Sequence, residues 1–258
     1  MKISFSLFLM LMVAHITAAQ GLYIKPYARC HQSISSQVEP VFYDVYSTPL
    51  IPLISNNKDF TLSSGIKYGA AIGYTFKKHF GFEIGIDYFN TNTSFKPDAV
   101  FILNKTDWHY RSVNISPLFT FAVNNKKSTL IGKAGALIGI THMDMSSSIG
   151  EDFTVAGVFD TKVNFGYTAG LEYNYQLSQH FSAAVEIGLE QYKYTPKTAT
   201  FKVHDNAGQV YGEIEIEYVK DKTIEEDPPS HKKIRFEETI SFNSLYFGIG
   251  IKYNLFKK

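Results

Sequence analysis

Residues 164–194 decide the fold, and they read NFGYTAGLEYNYQLSQHFSAAVEIGLEQYKY. Apolar residues alternate with polar or small ones through two arms, which are joined only by Ser178, Gln179 and His180. A period of two indicates β-strands with one apolar and one polar face, because successive side chains of a strand point to opposite sides. The short connection predicts that the two arms form an antiparallel hairpin.

The composition of the polar face indicates which face points inward. A soluble lipocalin-type barrel has its apolar face inside, whereas a membrane barrel has it outside. The polar face of this hairpin consists of Gly, Ser, Asn, Thr and carboxylates, and glycine on a water-facing strand would only weaken it. Aromatic residues also gather at both ends of the arms, with Tyr192 and Tyr194 at one end, where we expect membrane interfaces. The pattern therefore favours a membrane barrel, with the soluble barrel as the alternative.

The N-terminus predicts export. Residues 1–19 have the features of a signal peptide, namely Lys2, an apolar run over 7–14 and the small residues of 17–19. The apolar run is too short to cross a bilayer as a helix, so any membrane embedding must use strands. We expect residues 20–258 to form one β-barrel domain. The formal net charge of +1 gives no field that would attract nucleic acid, and no nucleic-acid partner is expected.

The rest of the chain repeats the alternation of the hairpin. Together with the two arms, the alternating segments predict eight strands, the other six being 21–31, 64–76, 80–92, 106–123, 129–144 and 241–256. Their connections alternate between turns of a few residues and longer loops over 32–63, 93–105 and 146–160, which is typical of outer-membrane barrels. The predicted fold is all-β, an eight-stranded antiparallel up-and-down transmembrane β-barrel with long external loops.

The signal peptide, the eight strands, the unequal loops and the aromatic-rich last strand resemble the outer-membrane β-barrel family, especially small barrels of the outer membrane protein A transmembrane-domain type. The resemblance implies a Gram-negative outer membrane, contact with outer-membrane lipid and recognition by the barrel assembly machinery. The end of the chain is similar to the assembly signal of such barrels in Gly250, Tyr253, Leu255 and Phe256, and departs from it by adding two lysines.

Charged residues of both signs fall on the predicted inner faces. They form an expected barrel-interior charge network of Lys25, Arg29, Lys67, Lys133 and Lys252 with Glu83, Asp87, Glu172, Glu186 and Glu190. Equal numbers of each sign predict pairing, because an isolated charge in a confined lumen is costly. Side chains nearly fill an eight-stranded barrel, so we expect a largely plugged lumen and a structural or surface-interaction role. The alternative is a narrow porin-like channel for ions or small solutes.

A second alternative is an outer-membrane lipid hydrolase. His142 and Ser146 share a predicted strand face, which is loosely similar to lipid A deacylases, but their order and spacing match no catalytic motif. The eight histidines show no metal-ligand spacing. We therefore expect no enzymatic activity, no cofactor and no metal.

The longest connection, 196–240, contains a further strand pattern. Residues 200–204 and 209–219 alternate around a turn at 205–208. We expect a hairpin that extends strand seven above the membrane, with its apolar side packed on neighbouring loops. Glu213, Glu215 and Glu217 share the other side and, with the charged residues 220–233, would form a binding surface for an external ligand or cations. A solvated loop is the alternative.

Overall fold

The structure, a computed structural model, describes residues 21–35, 63–76, 79–95, 103–149, 151–194, 196–219, 232–236 and 240–255. The strands are β1 Leu22–Ser35, β2 Gly65–Phe76, β3 Phe80–Phe95, β4 Leu103–Asn125, β5 Ser128–Ile149, β6 Phe153–Gln176, β7 Phe181–Tyr194, β8 Thr198–Asp205, β9 Val210–Val219, β10 Lys232–Phe236 and β11 Ile240–Asn254.

Eight of these strands close into a barrel. Strands β1 to β7 pair antiparallel in chain order, and β11 pairs with both β7 and β1. The closing strand lies in register with both neighbours, since Phe247 is opposite Ile187 of β7 and Cys30 of β1. The predicted eight-stranded antiparallel barrel is therefore confirmed.

The barrel is apolar outside and polar inside. Large apolar side chains are exposed on all eight barrel strands, and Phe119 and Phe165 are each 69% exposed. A soluble barrel would bury these side chains, whereas a membrane barrel presents them to lipid. No helix long and apolar enough to cross a membrane occurs in the described part of the chain.

Inward glycines make room for large side chains in the lumen. A Cβ added at Gly73 would overlap the ring of Tyr23, and one added at Gly188 would overlap the hydroxyl end of Tyr246. Both tyrosines are buried inside the barrel. The small residues of the inner face thus permit the close packing of the interior.

The strands rise well beyond the membrane at the end opposite the short turns. Strands β4, β5 and β6 have 23, 22 and 24 residues, whereas about 9–11 residues span a bilayer. The loop predicted over 146–160 is wrong, because these residues are strand apart from a tight connection at 150–152, of which residue 150 is not described. Beyond the membrane the outer face meets water and the inner face becomes apolar, with Met145 and Val155 buried and Ser146 exposed. In this part of the strands the apolar residues therefore point inward and the polar residues point outward. The serines on the outer face make the sequence resemble that of a loop.

The hairpin predicted within 196–240 is formed by β8 and β9. The part of β6 nearer the short turns, 166–176, pairs with β7. The part farther from them, 153–159, pairs with β8, so that β8 continues the line of β7. Ala199 and Phe201 of β8 are buried in a cluster with side chains of β4, β5 and β6, so the apolar side of β8 packs on strands rather than on loops. The side chains of Ile214, Ile216 and Tyr218 of β9, which were predicted to share this role, lie outside what the structure describes. Strand β10, which the sequence did not predict, pairs parallel with β9. Most of the predicted charged stretch, residues 220–231, lies outside the described residues.

Candidate functional site

All ten charged residues predicted for the interior are buried. Each is at most 9% exposed, and they come from seven of the eight barrel strands, all except β4. They are Lys25, Arg29, Lys67, Glu83, Asp87, Lys133, Glu172, Glu186, Glu190 and Lys252. Alternation places them inside, and the closure of the barrel brings together residues up to 161 positions apart in the chain.

Four of these residues form a compact group near the short-turn end. The Nζ atom of Lys25 lies 2.6 Å from Glu172 Oε2 and 3.3 Å from Glu83 Oε1. The ammonium of Lys133 also contacts both carboxylates, lying 3.0 Å from Glu83 Oε1. The Tyr23 hydroxyl donates a hydrogen bond of 2.7 Å to Glu83. Each ammonium therefore bridges two carboxylates, which offsets the free-energy penalty of removing these charges from water.

A second group lies further from the short turns and is organised by Arg29. The Nε atom of Arg29 donates to Glu186, and its Nη1 atom lies 3.5 Å from Glu190 Oε1 and 3.9 Å from Asp87 Oδ2. Lys67 pairs with Glu190 on the far side. Glu186 also lies 3.5 Å from the ammonium groups of Lys25 and Lys133, so it connects the two groups.

Lys252 is the exception to the predicted pairing. Its ammonium lies 3.6 Å from the centre of the Tyr23 ring, which is a cation–π contact. Within the described part of the chain it makes no ion pair with a carboxylate, whereas Lys25, Arg29, Lys67 and Lys133 each do.

Above the charges, the lumen is crossed by aromatic rings, which were not predicted there from the sequence. Tyr192 and Phe242 stack with ring centres 4.8 Å apart, and Tyr110 lies 4.8 Å from Phe242 and 5.7 Å from Phe89. The placement of Tyr192 and Tyr194 at a membrane interface is wrong, since both are at most 5% exposed and point inward. Their position was available from the alternation, because they follow the inward-facing Glu190 in steps of two.

The residues of the hydrolase alternative lie on the outer face of the extended strands. His142 approaches Asp144 to 3.6 Å through Nε2, and its Nδ1 atom lies 3.2 Å from the Thr161 hydroxyl. Asp144 is engaged by Arg111, whose Nη2 atom lies 2.9 Å away. Ser146 lies four residues along the strand from His142, which corresponds to about 13 Å. The structure therefore does not bring the predicted nucleophile and base together.

No group of three or more His, Cys, Asp or Glu side chains in the described ranges is arranged to hold a metal ion.

The predicted assembly residues lie at the end of β11. Gly250 and Tyr253 belong to this strand, Leu255 follows it, and Phe256 lies outside the described residues. Tyr253 faces outward and packs against Phe181 of β7, with ring centres 5.0 Å apart. Their role as an assembly signal stays a prediction.

Comparison with known proteins agrees with this architecture. The model of the outer membrane protein beta-barrel domain matches residues 6–206. A major outer membrane protein from Thermus thermophilus superposes with a TM-score of 0.50 at 10% identity, covering 90% of this chain and 98% of that one. OprG from Pseudomonas aeruginosa gives 0.47 at 12% identity, covering 91% and 96%, and Neisserial surface protein A gives 0.40 at 12%, covering 92% and 99%. No curated protein sequence matches. The chain belongs to the outer membrane protein β-barrel family and is located in the outer membrane.

Proposed function

We propose that this protein is a barrel with a plugged lumen and that it acts through its outer surface, in a structural or surface-interaction role. The observation that carries the proposal is the filling of the lumen by two successive layers of side chains. The ion-paired groups around Glu83, Glu172 and Glu186 occupy the level of the membrane, and the aromatic rings of Tyr192 and Phe242 lie above them. A solute path would have to break several buried ion pairs at once, and each rupture costs several kcal/mol.

The surface part of the proposal is supported by the amount of structure beyond the membrane. Trp108 of β4, Phe159 of β6 and Phe201 of β8 are buried against one another in this extension, with Phe159 packing on both other rings at 5.7–5.8 Å. A packed apolar core gives this extension a fixed shape, which favours specific contacts with a partner.

The hairpin of β8 and β9 supplies the chemistry of the proposed surface. Glu213 and Glu215 are exposed on β9, two residues apart and hence on one face. Lys202 of β8 lies 3.3 Å from Glu213 and compensates part of the charge. The surface therefore suits a cationic partner, such as a basic segment of an external protein.

The alternative of a narrow channel is favoured by one observation, a cavity of about 630 Å³ that enters the barrel at the short-turn end. It reaches Lys252 and Asn174, directly beside the carboxylate of Glu172, to which the Asn174 amide donates at 2.7 Å. For conduction, the ion pairs beyond this point would have to rearrange. The hydrolase alternative lacks such support, because His142 and Ser146 are too far apart along β5 to act together.

The surface role is tested by reversing the charge of the hairpin. The refolded protein in uncharged vesicles is titrated with a labelled decalysine peptide, and binding is measured by fluorescence anisotropy. We expect the double variant Glu213→Lys and Glu215→Lys to lose most of the binding. The control is Asp107→Lys, which reverses an exposed carboxylate elsewhere on the extension. Hydrogen bonds from Lys105 and Ser94 hold the pKa of Asp107 below its usual value.

Binding that falls equally in the hairpin variant and in the control would show only a general charge effect and would contradict the assignment to the hairpin. The absence of binding by the wild type would contradict the cationic character of the partner.

A further inference from the structure

The cavity at the short-turn end differs in charge from the rest of the interior. Three lysines line it, Lys126 and Lys127 in the turn between β4 and β5 and Lys252 of β11, and no Asp or Glu of the described ranges does. The short turns of an outer-membrane barrel face the periplasm, so this cavity opens to the periplasm. Because it lies within the barrel wall, it is open to small solutes rather than to lipid.

Lys252 directs a buried positive charge to this cavity. The side chain is only 9% exposed, and its ammonium makes a cation–π contact with Tyr23 but no ion pair with any carboxylate of the described residues. A buried ammonium normally requires a counter-ion or a full set of hydrogen bonds. The position of Lys252 is therefore suited to an anion that enters the cavity.

The charged side chains above the cavity are also arranged so that a positive charge lies beside it. The group of four next to it pairs two cations with two carboxylates, and Lys252 adds a third cation beside this group. The group organised by Arg29 combines two cations with three carboxylates, of which Glu186 is shared with the nearer group. The nearer residues are Lys25, Lys133, Lys252, Glu83 and Glu172, and the farther ones are Arg29, Lys67, Asp87, Glu186 and Glu190. Glu186 lies between them, 3.5 Å from two of the nearer lysines. Lys25 and Lys133 thus each have carboxylates within ion-pair distance, and Lys252 is the cation beside the cavity that has none among the described residues.

We propose that this cavity binds a compact oxyanion, of the size of a phosphate or a carboxylate, from the periplasmic side. Lys252 provides the direct cationic contact. Ser182 of β7, which is in register with Lys252 and also lines the cavity, provides a hydroxyl donor. Lys126 and Lys127 at the mouth raise the local concentration of anions. This site lies at the opposite end of the barrel from the proposed binding surface and is independent of it.

The proposal is tested with inorganic phosphate as the probe. The full-length refolded protein in uncharged maltoside micelles is titrated at constant ionic strength, and binding is followed by the ³¹P linewidth. We expect saturable broadening that acetate reverses more effectively than chloride. Lys252→Gln should weaken binding about tenfold or more, the effect of losing one charge-assisted hydrogen bond. Lys105→Gln, which removes an exposed lysine at the outer end of β4, should leave it unchanged.

A second variant keeps the test informative if Lys252→Gln does not fold. Ser182→Asp places a carboxylate opposite Lys252, so it supplies the missing counter-ion and should abolish phosphate binding in a folded barrel. Folding is checked by the change of gel mobility on heating. Equal binding by Lys252→Gln and Lys105→Gln, full binding by folded Ser182→Asp, or broadening that never saturates would each overturn the proposal.

Discussion

Replacement of Glu186 by glutamine removes one charge from the interior with little change in shape. Glu186 accepts a hydrogen bond from Arg29 and lies 3.5 Å from the ammonium groups of Lys25 and Lys133. At an effective dielectric constant of about 20, Coulomb's law gives roughly 5 kcal/mol for each pair at that distance. Part of this loss is recovered, because the variant no longer buries a carboxylate. We therefore expect the free energy of unfolding to fall by about 3–5 kcal/mol, the usual effect of removing one partner from a buried ion pair.

The assay is equilibrium urea unfolding in lipid vesicles, followed by the fluorescence of Trp108, the single tryptophan of the chain. The matched control is Glu213→Gln, which breaks the exposed contact with Lys202 and should change the free energy of unfolding by less than about 1 kcal/mol. A double-mutant cycle with Arg29→Met should give a coupling energy of about 0.5–3 kcal/mol. If Glu186→Gln were no more destabilising than the control, the ion-paired network would not stabilise the barrel.

Two further predictions follow from the packing of the interior and of the outer extension. Gly73→Ala should destabilise the barrel by about 1–3 kcal/mol in the same urea assay, because the added methyl group would overlap Tyr23. The control Gly132→Ala adds a methyl group that meets only an ordinary contact, and it should be nearly neutral. Equal losses of stability in the two variants would contradict the packing argument. Deletion of residues 197–238 should leave heat-modifiable gel mobility intact, because β7 and β11 pair with each other directly, but should shift the emission of Trp108 to the red as Phe201 is removed from its cluster. A deleted protein that no longer folds would mean that the segment belongs to the barrel wall.

The sequence predicts the barrel well where the environment is uniform. In β3, for example, Phe82, Ile84 and Ile86 face lipid and alternate with Glu83 and Asp87, which face the lumen. Each residue responds to one of two fixed environments, so the period of two is enough to predict both the strand and the inner charges.

Prediction fails where that environment changes. Above the membrane the outer face is wet, so the strand ends near Met145 and Ser146 have inverted polarity, and their sequence resembles a loop. The position of Tyr192 near a strand end suggests a membrane interface, although its alternation with Glu190 places it inside.

Contacts that depend on the register between strands could not be predicted from the sequence either. Whether Lys252 meets a carboxylate depends on the register of β11 with its two neighbouring strands. In the structure, Lys252 lies opposite Ser182 of β7. The parallel pairing of β10 with β9 has no local sequence signature, because parallel strands are not joined by a tight turn whose residues could indicate the pairing.

Whether the lumen is plugged is measured by the conductance of the purified wild-type protein in planar lipid bilayers. The ion pairs of Lys25 and Arg29 and the ring stack of Tyr192 and Phe242 lie in series along the axis, so we expect no steady channel current. A variant with Arg29→Ala and Phe242→Ala, which removes one side chain from each layer, should give measurable current and serves as the positive control. A large, steady current through the wild type would contradict the plugged lumen and favour the narrow channel.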